Sequence, residues 1–307
     1  MRVQIVLLMV WTSFLVPAMA EKEIHGDASI SKKIGGEEVV ITTTNRLAGA
    51  IHSFRYRGRE YIDSFDHGRQ LQSAANFDDG KKFFPEVFNP TEAGSEADGK
   101  GPTSSSRLLE IKAGDGEIRT SCQMAFWLKP GGKSNGNPAY NSTILSNHIL
   151  HKHVRIGFED IEQVLDYRVT FVMPKGEHHT YAQFEALTGY MPWDFQNFLR
   201  WESGQKKLVP LEKIQGEQRY PVVFATADGK HAMGIYAPAK FRGDCAGPGY
   251  GRFVFPEDKV VKWNAVFRIR NEKVVPPKEY GFRMFVPFGT VAEVEKTLAT
   301  LMDRMER

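Results

Sequence analysis

Apolar and polar residues alternate with a period of two along most of this chain. Ile118, Thr120, Cys122, Met124, Phe126 and Leu128 fall on one side of such a run, and Leu165, Tyr167, Val169, Phe171 and Met173 on one side of another. Val261, Trp263, Ala265, Phe267 and Ile269 form a third, with Lys262, Asn264, Val266, Arg268 and Arg270 as the alternates; Tyr280, Phe282, Met284 and Val286 form a fourth. A strand that buries one face and wets the other reads this way, which is the habit of antiparallel sheets. Shorter runs lie near 38–44, 50–56, 108–113, 152–158, 180–187, 221–226 and 231–236. Many strands without helices between them predict an all-β fold, a large antiparallel β-sandwich, and argue against a parallel α/β sheet.

The period changes only at the C-terminus. Val291, Val294, Leu298, Leu301, Met302 and Met305 recur at helical spacing, and Thr290 with Glu293 supplies a capping box. This helix is expected to pack against the sandwich or to close one end of it. Two stretches read as long loops. Residues 73–107 are rich in small and polar types, with Phe83, Phe84, Val87 and Phe88 to dock part of them. Residues 129–147 have few apolar anchors and read as a flexible flap. Gly247-Pro248-Gly249-Tyr250-Gly251 reads as a turn. No internal repeat or linker divides the chain, so residues 21–307 are expected to form one domain.

Residues 1–20 stand apart. Arg2 precedes a mostly apolar run over 3–16, Pro17 breaks it, and Ala18-Met19-Ala20 gives the small-x-small pattern of a cleavage site before Glu21. This is the pattern of a secretory signal peptide, too short for the ~20 apolar residues of a spanning helix. It predicts a secreted or periplasmic protein with no membrane partner after cleavage. The charge is nearly balanced, 40 Lys and Arg against 37 Asp and Glu, so nothing favours nucleic acid as a partner. Export permits a Cys122–Cys245 disulfide, while the apolar neighbours Met124 and Phe126 equally suit a buried free thiol; both remain open. Asn141-Ser142-Thr143 is a glycosylation sequon, relevant in a host that glycosylates.

The chain carries no nucleophile elbow, no zinc-binding His-Glu-x-x-His and no phosphate loop, and no cofactor is expected. Polar clusters inside apolar β patterns remain. Asp66-His67-Gly68-Arg69-Gln70-Leu71-Gln72 combines a carboxylate, an imidazole, a guanidinium fork and two amides, or forms a hydrogen-bonded turn around an Arg–Asp pair. Phe88-Asn89-Pro90-Thr91-Glu92 sets an amide and a carboxylate in a loop with apolar neighbours. His151 and His153 share a strand face, but no ligand set completes a metal site around them. In Glu177-His178-His179 and the residues after it, His179, Gln183 and Glu185 are expected on one strand face beside Tyr190 and Trp193. Imidazole titrates near neutrality and a partly buried Glu can be raised toward it, so this stripe suits acid–base work.

Residues 41–62 run Ile41-Thr42-Thr43-Thr44-Asn45-Arg46-Leu47-Ala48-Gly49-Ala50-Ile51-His52-Ser53-Phe54, then Tyr56-Arg57-Gly58-Arg59-Glu60-Tyr61-Ile62. This strand, small-residue turn, strand and short hairpin resembles the N-terminal opening of galactose mutarotase-like domains. That β-supersandwich occurs in aldose epimerases and is attached to several polysaccharide lyases and glycoside hydrolases. The resemblance is clearest over 41–72. It implies a carbohydrate-active protein with a saccharide partner. An aldose 1-epimerase would pair a mid-chain His acid with a Glu base near the C-terminus. Here Glu272 and Glu279 fall in an expected loop, so simple mutarotation is not the first reading.

The leading expectation is an enzyme acting on a poly- or oligosaccharide, with Glu185, His179, Glu92 and His151 as catalytic candidates. Arg69, Gln72, Asn89, Gln183, Tyr190 and Trp193 are the substrate-binding candidates. Elimination would use Arg69, Gln72 and Asn89 to neutralise a uronate, with His179 or His151 as base. Hydrolysis would use Glu92 and Glu185 as the carboxylate pair. A non-catalytic carbohydrate-binding protein, or a structural envelope protein of the same fold, is the alternative. Convergence of these clusters on one cleft is the geometric discriminator.

Overall fold

The computed structural model describes residues 24–212, 214–270 and 274–306. The expected signal peptide and Glu272 lie outside the described residues.

The period-two runs become strands, joined by hydrogen bonds into a 19-stranded antiparallel sheet that folds into two facing layers. The first layer runs, neighbour to neighbour, through Ala28–Ile34, Glu37–Thr43, Ile51–Tyr56, Leu71–Phe77, Ala182–Pro192, Val260–Ile269 and Ala246–Phe255. The second runs through Arg107–Gly114, Glu117–Phe126, Leu145–Phe158, Ile161–Val172 and Glu279–Gly289. It continues through Ala232–Ile235, Val222–Ala225, Asn197–Glu202 and Lys207–Pro210. The two-residue strand Pro90–Thr91 pairs with Ala74 on one side and with Ala125 and Phe126 on the other, stitching the layers together at one edge.

The inward faces of the two layers form the main core. The Phe184 ring of the first layer meets Phe171 and Phe282 of the second at centroid distances of 5.2 and 5.4 Å, Phe267 stacks on Phe282 at 4.5 Å, and Phe54 meets Phe288 at 4.9 Å. Each such buried ring contributes about 1.5–3 kcal/mol relative to exposure, with more from edge and offset geometry. This is the all-β antiparallel sandwich the alternation predicts.

The C-terminal helix Val291–Met305 lies on the outer face of the second layer. Val294, Leu298, Leu301 and Met302 pack there against Val164, Val223 and Phe285. The expected capping box is present: Thr290 Oγ1 accepts from the Glu293 amide at 3.2 Å, and Glu293 Oε2 accepts from the Thr290 amide at 2.7 Å. Arg57 adds two 2.8 Å bonds to the same carboxylate. Burial raises the Glu293 carboxyl, but Arg57 and the Thr290 amide more than offset it and bring it down to about 2.

Four expectations are corrected. The expected loop over 73–107 contains most of a strand, Leu71–Phe77, which every later statement about the site depends on. The expected flap over 129–147 holds a small hairpin, Lys133–Ser134 paired with Asn137–Pro138. Asn135 (φ 47°) and Gly136 (φ 81°) form its two-residue turn; Asn-Gly adopts this left-handed pair readily. The Tyr140 amide donates to the Val87 carbonyl at 2.9 Å, which ties the segment down. Gly247–Gly251 lies inside the strand Ala246–Phe255 at an irregularity in its register, not in a turn between elements. Glu279 opens the strand Glu279–Gly289 instead of sitting in a loop. Both cysteines are buried free thiols, which settles the alternative left open by the sequence.

Candidate functional site

The wet face of the first layer carries the site, and a β-bulge shapes it. Along Ala182–Pro192, Ala182 and Phe184 point into the core while Gln183 and Glu185 alternate outward. Ala186 and Leu187 are then both fully buried, and the register against Val260–Ile269 shifts between Glu185 and Leu187. The extra residue resets the parity, so Thr188 and Tyr190 join Gln183 and Glu185 on the outer face. A buried network supports the bulge. Ser73 Oγ donates to the Ala186 carbonyl at 2.8 Å, and the Ser73 amide donates to Glu92 Oε2 at 3.1 Å.

On that face lies an open cleft of about 380 Å³. Its floor comes from Gln72, Ala74 and Asn76, from Gln183, Glu185, Thr188 and Tyr190, and from Val260 and Lys262 of three adjacent strands. Its walls come from the turn of Asp66, Gly68 and Arg69, from Phe255 and Asp258, and from Pro85, Glu86, Asn89, Thr91 and Trp127.

The electrostatics are organised around two locked cations. Glu185 Oε2 accepts from Lys262 Nζ and Asn264 Nδ2, each at 3.2 Å, and from Thr188 Oγ1 at 3.1 Å. Burial pushes the Glu185 carboxyl up, but Lys262, Asn264 and Thr188 outweigh it and hold the group below its ordinary value. Burial likewise pulls Lys262 down, and Glu185 with Tyr190 reverses this, leaving the ammonium above its ordinary value. Arg69 contacts Asp66 at 3.2 Å and Asp258 at 2.8 Å while its guanidinium lies 5.2 Å from the Phe65 ring centroid. Gln72 Nε2 donates to the Gly68 carbonyl at 3.0 Å, and its buried Oε1 has no protein partner. Asn89 Nδ2 donates to the Ala75 carbonyl at 2.6 Å. Gln183 Oε1 accepts from Arg268 Nε at 3.0 Å.

Of the residues singled out from sequence, the cleft brings together Glu185, Arg69, Gln72, Asn89, Gln183 and Tyr190. Four others lie elsewhere. His179 precedes the strand in a loop and does not share its outer face. It is buried, with Nδ1 2.5 Å from the Asp78 carbonyl, Nε2 3.0 Å from Glu177 and its ring 4.9 Å from Phe77. His151 is exposed on the outer face of the second layer, bonded to Ser121 Oγ at 2.8 Å. Glu92 points between the layers into a fully buried ion pair with Lys152, so Glu92 and Glu185 do not face each other across the cleft. Trp193 packs against the main core.

Sequence reasoning missed Lys262, Asn264, Asp258 and Glu86. Lys262 and Asn264 were visible as the wet alternates of Trp263, and their pairing with the Gln183–Glu185 strand was the missing link. Asp258 and Glu86 come from separate turns, with no local pattern to announce them.

No family model matches the chain, and no curated protein matches it. Solved structures do, at the level of fold. The chain is similar to the Slr1438 protein from Synechocystis sp. PCC 6803, at 8% identity and a TM-score of 0.46, over 89% of this chain and 100% of that one. It is similar to a protein in the glycosyl hydrolase family 38 from Enterococcus faecalis, at 10% identity and a TM-score of 0.49, over 88% of this chain and 32% of that one. It is also similar to a mutant of heparan sulfate lyase HepC from Pedobacter heparinus, at 8% identity and a TM-score of 0.43, over 89% of this chain and 37% of that one. The chain thus spans all of the first and about a third of each of the other two.

Proposed function

We propose that this cleft is a saccharide-binding site. The observation that carries the reading is the convergence of amides (Gln72, Asn76, Asn89, Gln183), hydroxyls (Thr91, Thr188) and a fixed carboxylate with the aromatic faces of Trp127, Tyr190 and Phe255. A pyranose presents both kinds of surface: equatorial hydroxyls that fit paired donors and acceptors, and apolar C–H faces that stack on rings.

The charge pattern weighs against elimination on uronates. Arg69 and Lys262, the cations that line the cleft, already serve carboxylates, so only the uncharged amides of Gln72 and Asn89 remain to neutralise a uronate. Lys262, held protonated, is a poor base, and no histidine lines the cleft. Hydrolysis is the second reading, favoured by one observation. Glu185 is held ionised in the same cleft as the carboxylates of Asp66 and Asp258, which suits a base or nucleophile opposite a second acid.

Calorimetric titration with a panel of oligosaccharides, with reducing ends assayed in parallel, tests both readings. Binding is expected to weaken about 10- to 100-fold in Glu185→Gln, since a hydrogen bond to a charged group is worth about 1.5–3 kcal/mol. Unchanged affinity in that variant would remove Glu185 from the site. New reducing ends, lost in the same variant, would select hydrolysis over binding alone.

A further inference from the structure

One inward position of the floor strand Leu71–Phe77 is polar. Leu71, Ala75 and Phe77 belong to the main core, and Ser73, on the same side of the strand, is fully buried with them. It lies opposite the bulge. Ala74 pairs with Glu185 and Gln72 with Thr188, so Ser73 alone faces both Ala186 and Leu187. A bulge interrupts the ladder and leaves backbone groups in need of partners. Ser73 Oγ supplies one of them, donating to the Ala186 carbonyl at 2.8 Å.

Glu92 holds Ser73 from its other edge by both backbone groups. Its Oε2 accepts from the Ser73 amide, and its own amide donates to the Ser73 carbonyl, each at 3.1 Å. Its Oε1 takes the Lys152 ammonium, which comes from Leu145–Phe158 of the second layer. Both side chains of this pair are buried. A buried ion pair is weak evidence for stability, because apolar residues of like volume often serve as well; what it can add is a unique register. The cleft depends on register. Without the bulge, the alternation set by Gln183 and Glu185 would carry Leu187 into the cleft and turn Thr188 and Tyr190 toward the core. The 3.1 Å bond from Thr188 Oγ1 to Glu185 would then be lost.

We infer that Ser73, Glu92 and Lys152 are positioning residues of the cleft. From the buried side they pin the bulge that sets Thr188 and Tyr190 beside Gln183 and Glu185. The effect on ligand rests on the saccharide-binding reading above, whereas the register does not.

Two variants of the full chain test this. Ser73→Ala removes the hydroxyl alone. Glu92→Met with Lys152→Met replaces the ion pair by apolar groups of similar volume. Cross-strand backbone NOEs between Thr188 and Gln72 report the bulged register without any ligand. Both variants are expected to lose these NOEs while still showing a cooperative melt. Affinity for any oligosaccharide that wild type binds is expected to fall about tenfold, equivalent to one or two ordinary hydrogen bonds. Thr188→Val should weaken binding too, and adding it to Ser73→Ala should cost less than the product of the two separate losses. A merely structural role would lower the melting temperature and leave NOEs and affinity in place. Intact NOEs in Ser73→Ala overturn the inference, and that variant decides alone should the double variant fail to fold. Lost NOEs with wild-type affinity overturn the positioning role, since the cleft would then not depend on the bulge. If wild type binds no oligosaccharide, the saccharide reading falls and the Thr188–Gln72 contact still decides the pin.

Discussion

At the scale of single residues, protonation follows from what each group touches. His148 is buried, and burial pulls its imidazole down to about 4 despite Glu177 at 3.4 Å. Its ring stacks on Phe77 at 5.0 Å, a contact that suits the neutral form. The folded value lies below the unfolded one of about 6.5. Above that pH both states are neutral and the group has no effect on stability. As the pH falls from about 6.5 toward 4, the unfolded chain takes up a proton that the folded one refuses, and stability drops by up to about 3 kcal/mol. Denaturant melts between pH 7 and 4 should show this slope, and His148→Leu should flatten it; an equal slope in the variant would assign it to other groups. The Glu293 carboxyl acts in a lower window, stabilising above its unfolded value and losing that contribution as the pH falls toward 2. Glu185 illustrates how environment decides a role. A half-buried glutamate suggested a raised acid, and the neighbouring ammonium of Lys262 turns it into a held anion.

At the scale of elements, capping and bulging carry the argument. Thr290→Ala removes the Thr290 hydroxyl that caps the Glu293 amide, and should cost about 1 kcal/mol by chemical denaturation without altering saccharide affinity. A loss of affinity would tie the helix to the cleft on the opposite layer, which the packing does not suggest. This helix was fully legible in sequence, because its spacing, cap and third-position Glu are all local. The outer face of Ala182–Pro192 was legible only in part. Gln183 and Glu185 share a face by simple alternation, but Thr188 joins them only because Ala186 and Leu187 are both buried, and nothing local marks that bulge. Simple alternation also put His179 on the strand, whereas the strand begins three residues later. The Asn135-Gly136 hairpin carried a recognisable signal, hidden within a stretch whose composition reads as loop.

At the scale of the molecule, alternation gave the class of fold but not which strands lie side by side. The cleft is a product of neighbours far apart in sequence: Leu71–Phe77 beside Ala182–Pro192 beside Val260–Ile269. Six residues picked out for polarity in apolar surroundings meet there, since a polar group on an otherwise apolar strand must face water or a ligand. The same rule has a second solution, a buried partner, and that is where Glu92 went, paired with Lys152 between the layers. Sequence alone does not separate the two outcomes, because the partner lies on another strand.

The most direct test of the saccharide-binding cleft follows the indole N–H signals of the tryptophans by NMR while short oligosaccharides are added. Trp127 lines the cleft, whereas Trp263 is buried in the main core. The account predicts that the Trp127 signal shifts and saturates with added saccharide while that of Trp263 stays in place. A saccharide that binds without moving Trp127, or a Trp127 signal unmoved across the whole panel, would contradict it.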